Sequence, residues 1–472
     1  MNFVIFMPDE MRAESIGCYG HPLISTPNID RLAAEGVRFD QCHVQHTVCG
    51  PSRCSMMTGW YPHVNGHRTL WHLLRPHEPH LFKYLHAAGY NIRWCGKNDL
   101  LSEEEKAAVV TPTRRPGNRK PGKPLYNYPD PEYYAFLRGP FPGESEDHHD
   151  YADVQAGIEF LQSNPQEPFC LYLPLSSPHP PYSAPQPWHD MYDRHALPAL
   201  RPANLPGKPK HHALIRHSRQ LDHLDEAMFK EINAVYLGMI SYMDFLLGRV
   251  LTALDETGLA KNTTVIFCSD HGDWAGDWGL VEKWPSALDD TLTRIPLIIR
   301  TPGGTSGHVV REQVELFDVM ATCMELAGLS CSHTHFARSL VPQLQGAPGD
   351  PERAVFAEGG YDPHEPHCFE GRVIGDQAGR GPEHIYYPKG RLQQSEPSSV
   401  SRTVMIRTLN YKLIYRTADV CELYHLAEDP QELRNVYEEP AYEDVRRRLE
   451  SQLLAWYLHT SDVVPWDEDK RN

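Results

Sequence analysis

The chain is short of positive charge: 45 Lys and Arg stand against 62 Asp and Glu over 472 residues, a formal net charge of −17. That deficit argues against a nucleic-acid partner, which requires Lys and Arg clustered over a broad face. An anionic ligand would need a local cationic pocket instead. Also missing is any run near the roughly eighteen uninterrupted apolar residues of a membrane span, so no membrane partner is expected. The opening segment Met1 to Met7 has no basic region and no small-residue cleavage site before Asp9, which leads us to expect a cytoplasmic protein. The eleven cysteines lack a framework spacing, and free thiols are expected. No internal repeat is evident. With 40% hydrophobic and 23% charged residues the composition is that of a globular chain, long enough for a large domain and a smaller companion.

What is present is an alternation of strand and helix patterns. An apolar run Phe3 to Met7 reads as a first core strand. Thr26 then looks like an N-cap, Pro27 takes the first helical position, Gly36 ends that helix, and a strand follows over 37–44. Later, Leu237, Ile240, Leu247, Val250 and Leu254 put an apolar face on a helix that Gly258 can end, followed by a buried strand over 264–268. This grammar predicts an α/β fold, a large mostly parallel sheet sandwiched by helices, with ligand sites at the carboxyl ends of its strands. Residues 101–150 and 359–399 read as long surface loops. Strands over 404–407 and 411–415 and a helix over 440–458 make a smaller C-terminal α+β subdomain. We divide the chain into a catalytic part, 1–350, and this subdomain, 351–472.

Four polar clusters fall where strand ends should be: Pro8-Asp9-Glu10, Cys49-Gly50-Pro51-Ser52-Arg53, Gly96-Lys97-Asn98-Asp99 and Ser269-Asp270-His271-Gly272-Asp273. Singly, each has a plain structural explanation, such as a solvated turn or a small buried thiol. Jointly they outline a site. Oxygens from Asp9, Glu10 and Asp270, with a nitrogen from His271, suit a hard divalent cation: calcium by preference, with magnesium or manganese as alternatives. Zinc is disfavoured, because no Cys and His set has structural spacing.

The segment Thr26-Pro27-Asn28-Ile29-Asp30-Arg31-Leu32-Ala33-Ala34-Glu35-Gly36-Val37-Arg38-Phe39, followed by Cys49-Gly50-Pro51-Ser52-Arg53, resembles the N-terminal signature of the type I sulfatases of the alkaline-phosphatase-like superfamily. The resemblance continues through Ser269 to Gly272, Arg294 to Arg300 and Glu422 to Pro430. Cys49, Pro51 and Arg53 satisfy the family's Cys-X-Pro-X-Arg motif for conversion of the cysteine to formylglycine, which implies a formylglycine-generating enzyme as maturation partner. The resemblance further implies a metal-dependent sulfuric ester hydrolase. One hydroxyl of the hydrated aldehyde at Cys49, bindable to the metal, would attack sulfur and expel the alcohol; deprotonation of the other would eject sulfate. Arg53, Lys97 and Lys283 match the family's pocket cations, and His179 matches the histidine near the leaving oxygen.

Two positions depart from the family. Glu10 stands where most relatives have aspartate, and Asp99 where most have a histidine contacting the hydrated aldehyde, leaving Asp99, His67 or His72 as candidate bases. Substrate stays open between a sulfated sugar and a small alkyl or aryl sulfate. Hydrolysis of a phosphonate monoester or phosphodiester by the same nucleophile is the close alternative, since these anions share shape and charge. A non-catalytic binding protein on the same fold is a further reading, and the oligomeric state is open. His364, His367, Arg372, His384, Lys389 and Arg391, on the second loop, either contact the non-reacting part of the substrate or belong to a solvated surface loop or an oligomer contact; composition does not choose between these.

Overall fold

The computed structural model describes residues 1–111, 122–166, 168–371 and 381–466. Seven strands build the main sheet: β1 (Asn2–Asp9), β2 (Val37–His43), β3 (Asn91–Trp94), β4 (Phe169–Pro178), β5 (Thr263–Cys268), β6 (Arg294–Arg300) and β7 (His308–Glu315). Their order is β3-β4-β1-β5-β6-β2-β7. The pairs β3/β4, β4/β1, β1/β5 and β2/β7 are parallel, and β6 alone of the seven runs against both neighbours. The mostly parallel α/β expectation therefore holds, and the reversed β6 is a feature that apolar patterning could not signal.

Residues alternate between two cores. Val4 and Phe6 of β1 join Leu171 and Leu173 of β4 and Val265 and Phe267 of β5 under the His149–Gln162 and Glu226–Glu256 helices. Phe3, Ile5 and Met7 point the other way, with Ile266 and Ile299, toward the Cys49–Thr58, Leu81–Ala87 and Asp318–Leu326 helices. Each such fully buried side chain contributes about 1.5–3 kcal/mol. The 31-residue Glu226–Glu256 helix is apolar and long enough by composition to cross a membrane, but 78% of its apolar window is buried inside the protein. It is the core helix of the first layer.

Several local expectations are corrected by tertiary contacts. Thr26 does not cap the Pro27–Glu35 helix with its side chain; Asp244 reaches in from the long core helix and accepts from Asn28 N (2.9 Å) and Ile29 N (2.7 Å). The stretches read as loops contain helices at Glu103–Val109 and Tyr387–Ser395. The second sheet, β11-β10-β9-β8, is antiparallel and comprises β8 (Val355–Gly359), β9 (Thr403–Arg407), β10 (Tyr411–Arg416) and β11 (Glu422–His425). The Glu443–Thr460 helix packs on it through Leu449, Leu453 and Trp456.

Candidate active site

The carboxyl ends of β1, β3, β4 and β5 lie side by side, and the chain leaves each through a polar cluster. Asp9 ends β1, opposite Pro178 of β4, so His179 emerges beside Glu10. After β3, Gly96 has φ 141° and approaches β4 so closely that a Cβ there would lie 2.2 Å from Pro174 O, which restricts the position to glycine; Lys97 N then bonds Pro174 O at 2.8 Å. After β5, a Cβ on Gly272 would lie 1.9 Å from Thr291 O, so only glycine lets the chain turn there after Asp270 and His271. The Cys49–Thr58 helix starts with Cys49 in its first turn and is buried on every side.

Cys49 Sγ, which occupies the place of the aldehyde carbon's oxygens in a formylglycine, is 3.2 Å from His271 Nε2, 3.5 Å from Asp9 Oδ1 and 3.8 Å from Lys97 Nζ. Donor atoms of Asp9, Cys49, Asp270 and His271 all lie within 4.8 Å of one another. Arg53 has no exposed surface and bridges the two carboxylates, with Nε 2.8 Å from Asp270 Oδ2 and Nη2 3.2 Å from Asp9 Oδ2. Lys97 Nζ is 2.5 Å from Asp9 Oδ2 and 2.8 Å from Asp99 Oδ2.

Glu10 takes a different direction from the one expected of a fifth partner in that cluster. Its backbone is left-handed (φ 72°) and its amide bonds Asp270 Oδ1 at 3.1 Å, which sends the side chain to Lys283 (Oε2 to Nζ 2.9 Å) and His179 (Oε2 to Nε2 3.4 Å). With Asp9 and His179 it forms a second donor group sharing Asp9 with the first. Lys283 Nζ also donates to His179 Nε2 at 2.7 Å, while His179 Nδ1 donates to Pro180 O at 2.6 Å.

Electrostatics follow from burial and these partners. Burial pushes the Asp9 carboxyl up, but Lys97 and Arg53 hold it well below the usual range; Glu10 is pushed well above it by burial, against Lys283. Burial and Asp9 push the Cys49 thiol up, so it rests protonated. His271 and His179 are pushed down by burial and stay neutral. His271 Nδ1 faces Gly272 O at 2.9 Å, so the neutral ring turns a bare Nε2 lone pair into the cluster.

The candidate bases separate by geometry. His67 is held between Glu78 Oε1 (2.8 Å) and His72 O (2.9 Å), two acceptors that require both ring nitrogens to carry protons, so it is no base. His72 Nδ1 faces Thr69 Oγ1 at 3.1 Å. Asp99 lies beside Lys97, one residue removed from the nucleophile. Of the second-loop residues, His364 and Arg391 are exposed, His367 packs edge-on to His72 (6.1 Å between centroids), and Lys389 is buried; Arg372 lies outside the described residues. Sequence reading missed Glu282, Arg219 and Asp150, whose partners lie far along the chain; adjacency of Glu282 to Lys283 was the one available signal.

A third cluster, His148, His149 and Asp150, is committed otherwise: Asp150 accepts from Ser176 N (2.8 Å) and Ser177 N (3.0 Å), and His148 Nδ1 accepts from Asp150 N.

The family model described as Sulfatase matches residues 1–329, and that described as N-sulphoglucosamine sulphohydrolase, C-terminal, matches residues 372–458. The chain is 29% identical to the multifunctional alkaline phosphatase superfamily protein PehA of Trinickia caryophylli, over 97% of this chain and 93% of that one. It is 25% identical to an N-acetylglucosamine-6-O-sulfatase of Bacteroides thetaiotaomicron, over 96% and 85%. Among solved structures, the phosphonate monoester hydrolase of Agrobacterium radiobacter superposes with a TM-score of 0.77 at 22% identity, over 97% and 96% of the two chains. With most of its length matched by the first of these models and its relatives aligned nearly end to end, the chain belongs to the sulfatase family of sulfuric ester hydrolases.

Proposed function

We propose that the chain hydrolyses the sulfate ester of a saccharide or of a small alkyl or aryl alcohol, using formylglycine made from Cys49 and one hard divalent cation, calcium by preference. The observation that carries this reading is the convergence of Asp9, Cys49, Asp270 and His271 donor atoms within 4.8 Å, ringed by Arg53, Lys97 and Lys283. The donor set fits a cation: two carboxylates and a bare imidazole nitrogen face one point, and buried Glu10 Oε1 has no hydrogen-bond partner among the described residues. Asp9, Asp270 and His271 would hold it, with Glu10 at the margin. When present, the cation and the hydrated aldehyde supply a Lewis acid and a hard oxygen nucleophile.

The remaining work falls to this chain's own side chains. Arg53 fixes Asp9 and Asp270 in one orientation and offsets their charge. Lys97 and Lys283, whose charges both act on Cys49, oppose the negative charge of a transferring sulfuryl group. In the Lys283–His179 pair the mobile proton rests on Lys283 Nζ, with His179 as its acceptor; the pair therefore protonates a departing alkoxide from Lys283 while His179 steers the ammonium. His271 Nε2, 3.2 Å from Cys49 Sγ, would be committed to holding the cation and so serves as a ligand rather than as the base.

The test is co-production with a formylglycine-generating enzyme, mass analysis of the peptide containing Cys49, and rate measurements on an aryl sulfate, a sulfated sugar and a phenylphosphonate monoester. Expected are the mass loss of the aldehyde, sulfate ester turnover abolished by a chelator and restored by calcium, magnesium or manganese, and no turnover by Cys49→Ala. Faster cleavage of the phosphonate would move the reading to the phosphonate monoesterase alternative. An unmodified Cys49 and no turnover would leave a binding protein.

A further inference from the structure

Lys283 is flanked by an acid that is its own chain neighbour. Glu282 is 1% exposed, and its Oε1 lies 3.8 Å from Lys283 Nζ, while Glu10 Oε2 lies 2.9 Å from the same nitrogen. The main chain of Glu282 is pinned beside Lys283: its backbone is left-handed (φ 67°) and its amide is held by Tyr182 Oη (3.0 Å) and Asp273 Oδ1 (3.2 Å). Unopposed, this buried carboxylate would draw Lys283 off Glu10 and His179, since charge attraction is strong where water is excluded.

Two other cations occupy it. Arg219, following the Lys210–Ser218 helix, bonds Oε2, and Lys389, on the Tyr387–Ser395 helix, lies 2.8 Å from Oε1. Lys389 is 3% exposed and has a second anchor in Glu370, at 3.1 Å. One carboxylate oxygen thus has two ammonium groups near it, and the nearer comes from the segment between β8 and β9, distant in sequence from the catalytic sheet.

We infer that Lys389 is a positioning residue: by neutralising Glu282 it leaves Lys283 on Glu10 and His179, where the cation faces the reacting group. The inference rests on the reading of Lys283 as a pocket cation. It also explains why a lysine in a segment read as substrate contact, solvated loop or oligomer contact is buried and turned inward.

The experiment compares the full-length matured parent with Lys389→Met, Lys389→Arg, Glu282→Gln and the Lys389→Met/Glu282→Gln pair. Lys389→Met should lower kcat about 100-fold with little change in KM, the scale of a displacement of about 1 Å in a positioned group. Removing the competing acid should recover much of that loss in the double variant, and Lys389→Arg should retain most activity. A merely structural ion pair predicts the opposite: the double variant no better than Lys389→Met. Crystal structures give a readout independent of turnover, with Lys283 Nζ expected on Glu282 in Lys389→Met and on Glu10 in the double variant. Lys283 still on Glu10 in Lys389→Met would overturn the inference. Should Lys389→Met not fold, Glu282→Gln decides: with the competitor gone, Lys283 must stay on Glu10, and its departure would overturn the inference. A parent inactive on every sulfate ester would defeat the proposed function while leaving the crystallographic test of Lys283 in force.

Discussion

Arg53 shows how much one buried side chain carries. It is the cation common to Asp9 and Asp270, so Arg53→Ala strands the buried Asp270 carboxylate and leaves Asp9 to Lys97 alone, and a loss of about 3–5 kcal/mol is expected in chemical denaturation of the unloaded protein. A loss below about 1 kcal/mol, the scale of exposed pairs, would mean that water reaches those carboxylates. His67 makes a pH-dependent contribution. Burial pushes its ring down, but hydrogen bonds to Cys54 and Glu78 raise it to about 11. Because the folded value lies above the unfolded one of about 6.5, its stabilisation is complete below pH 6.5 and lost as pH rises toward 11. The stability difference between parent and His67→Gln should therefore shrink between pH 6 and pH 9; a constant difference would show that the ring is neutral. Cys49, Asp270 and Lys283 could be singled out in the sequence because they stand in motifs that resemble the family's, at its spacing. The charge state of His67 was not, because it depends on Glu78 and a carbonyl turned toward it.

At the scale of elements, the strand ends deliver the site and other elements hold it. The His149–Gln162 helix spends the buried Asp150 on the amides of Ser176 and Ser177, just before His179. Asp150→Ala should cost about 1–3 kcal/mol for each amide left unsatisfied and lower kcat about 100-fold as His179 loses its station, whereas Asp150→Asn, retaining one acceptor, should lose less. Unchanged kcat in a folded Asp150→Ala protein would show that the loop holds itself. Cys49 begins a helix whose whole length is buried between the sheet and the Asp318–Leu326 helix. Composition gave no warning of this burial, since Ser52, Arg53 and Ser55 are polar and their partners lie elsewhere in the chain.

The two sheets share buried ion pairs. Asp290, just before β6, meets Arg407 (3.0 Å) and Lys412 (2.8 Å) of the second sheet, and Arg353 meets Glu315 (3.0 Å) and Asp318 (2.6 Å). Trp284 Nε1, next to Lys283, donates to Ser399 O at 2.6 Å. Separating the parts at residue 350 would expose these charges unpaired. We therefore expect one calorimetric unfolding transition for the full chain and no cooperative transition for a 1–350 fragment. Two resolved transitions would make residues 351–472 an independent domain.

By itself the sequence determined the family, the alternation of strand and helix, and the clusters of chemistry at strand ends, because each is written in a few consecutive residues whose types and spacing suffice. Tertiary structure alone decided that β6 runs backward, that Asp244 rather than Thr26 caps the first long helix, that Glu10 faces Lys283, and that Lys389 faces Glu282. Each of these is a contact across tens to hundreds of residues, set by which buried charge or amide lacks a partner, and no local pattern records such a partner.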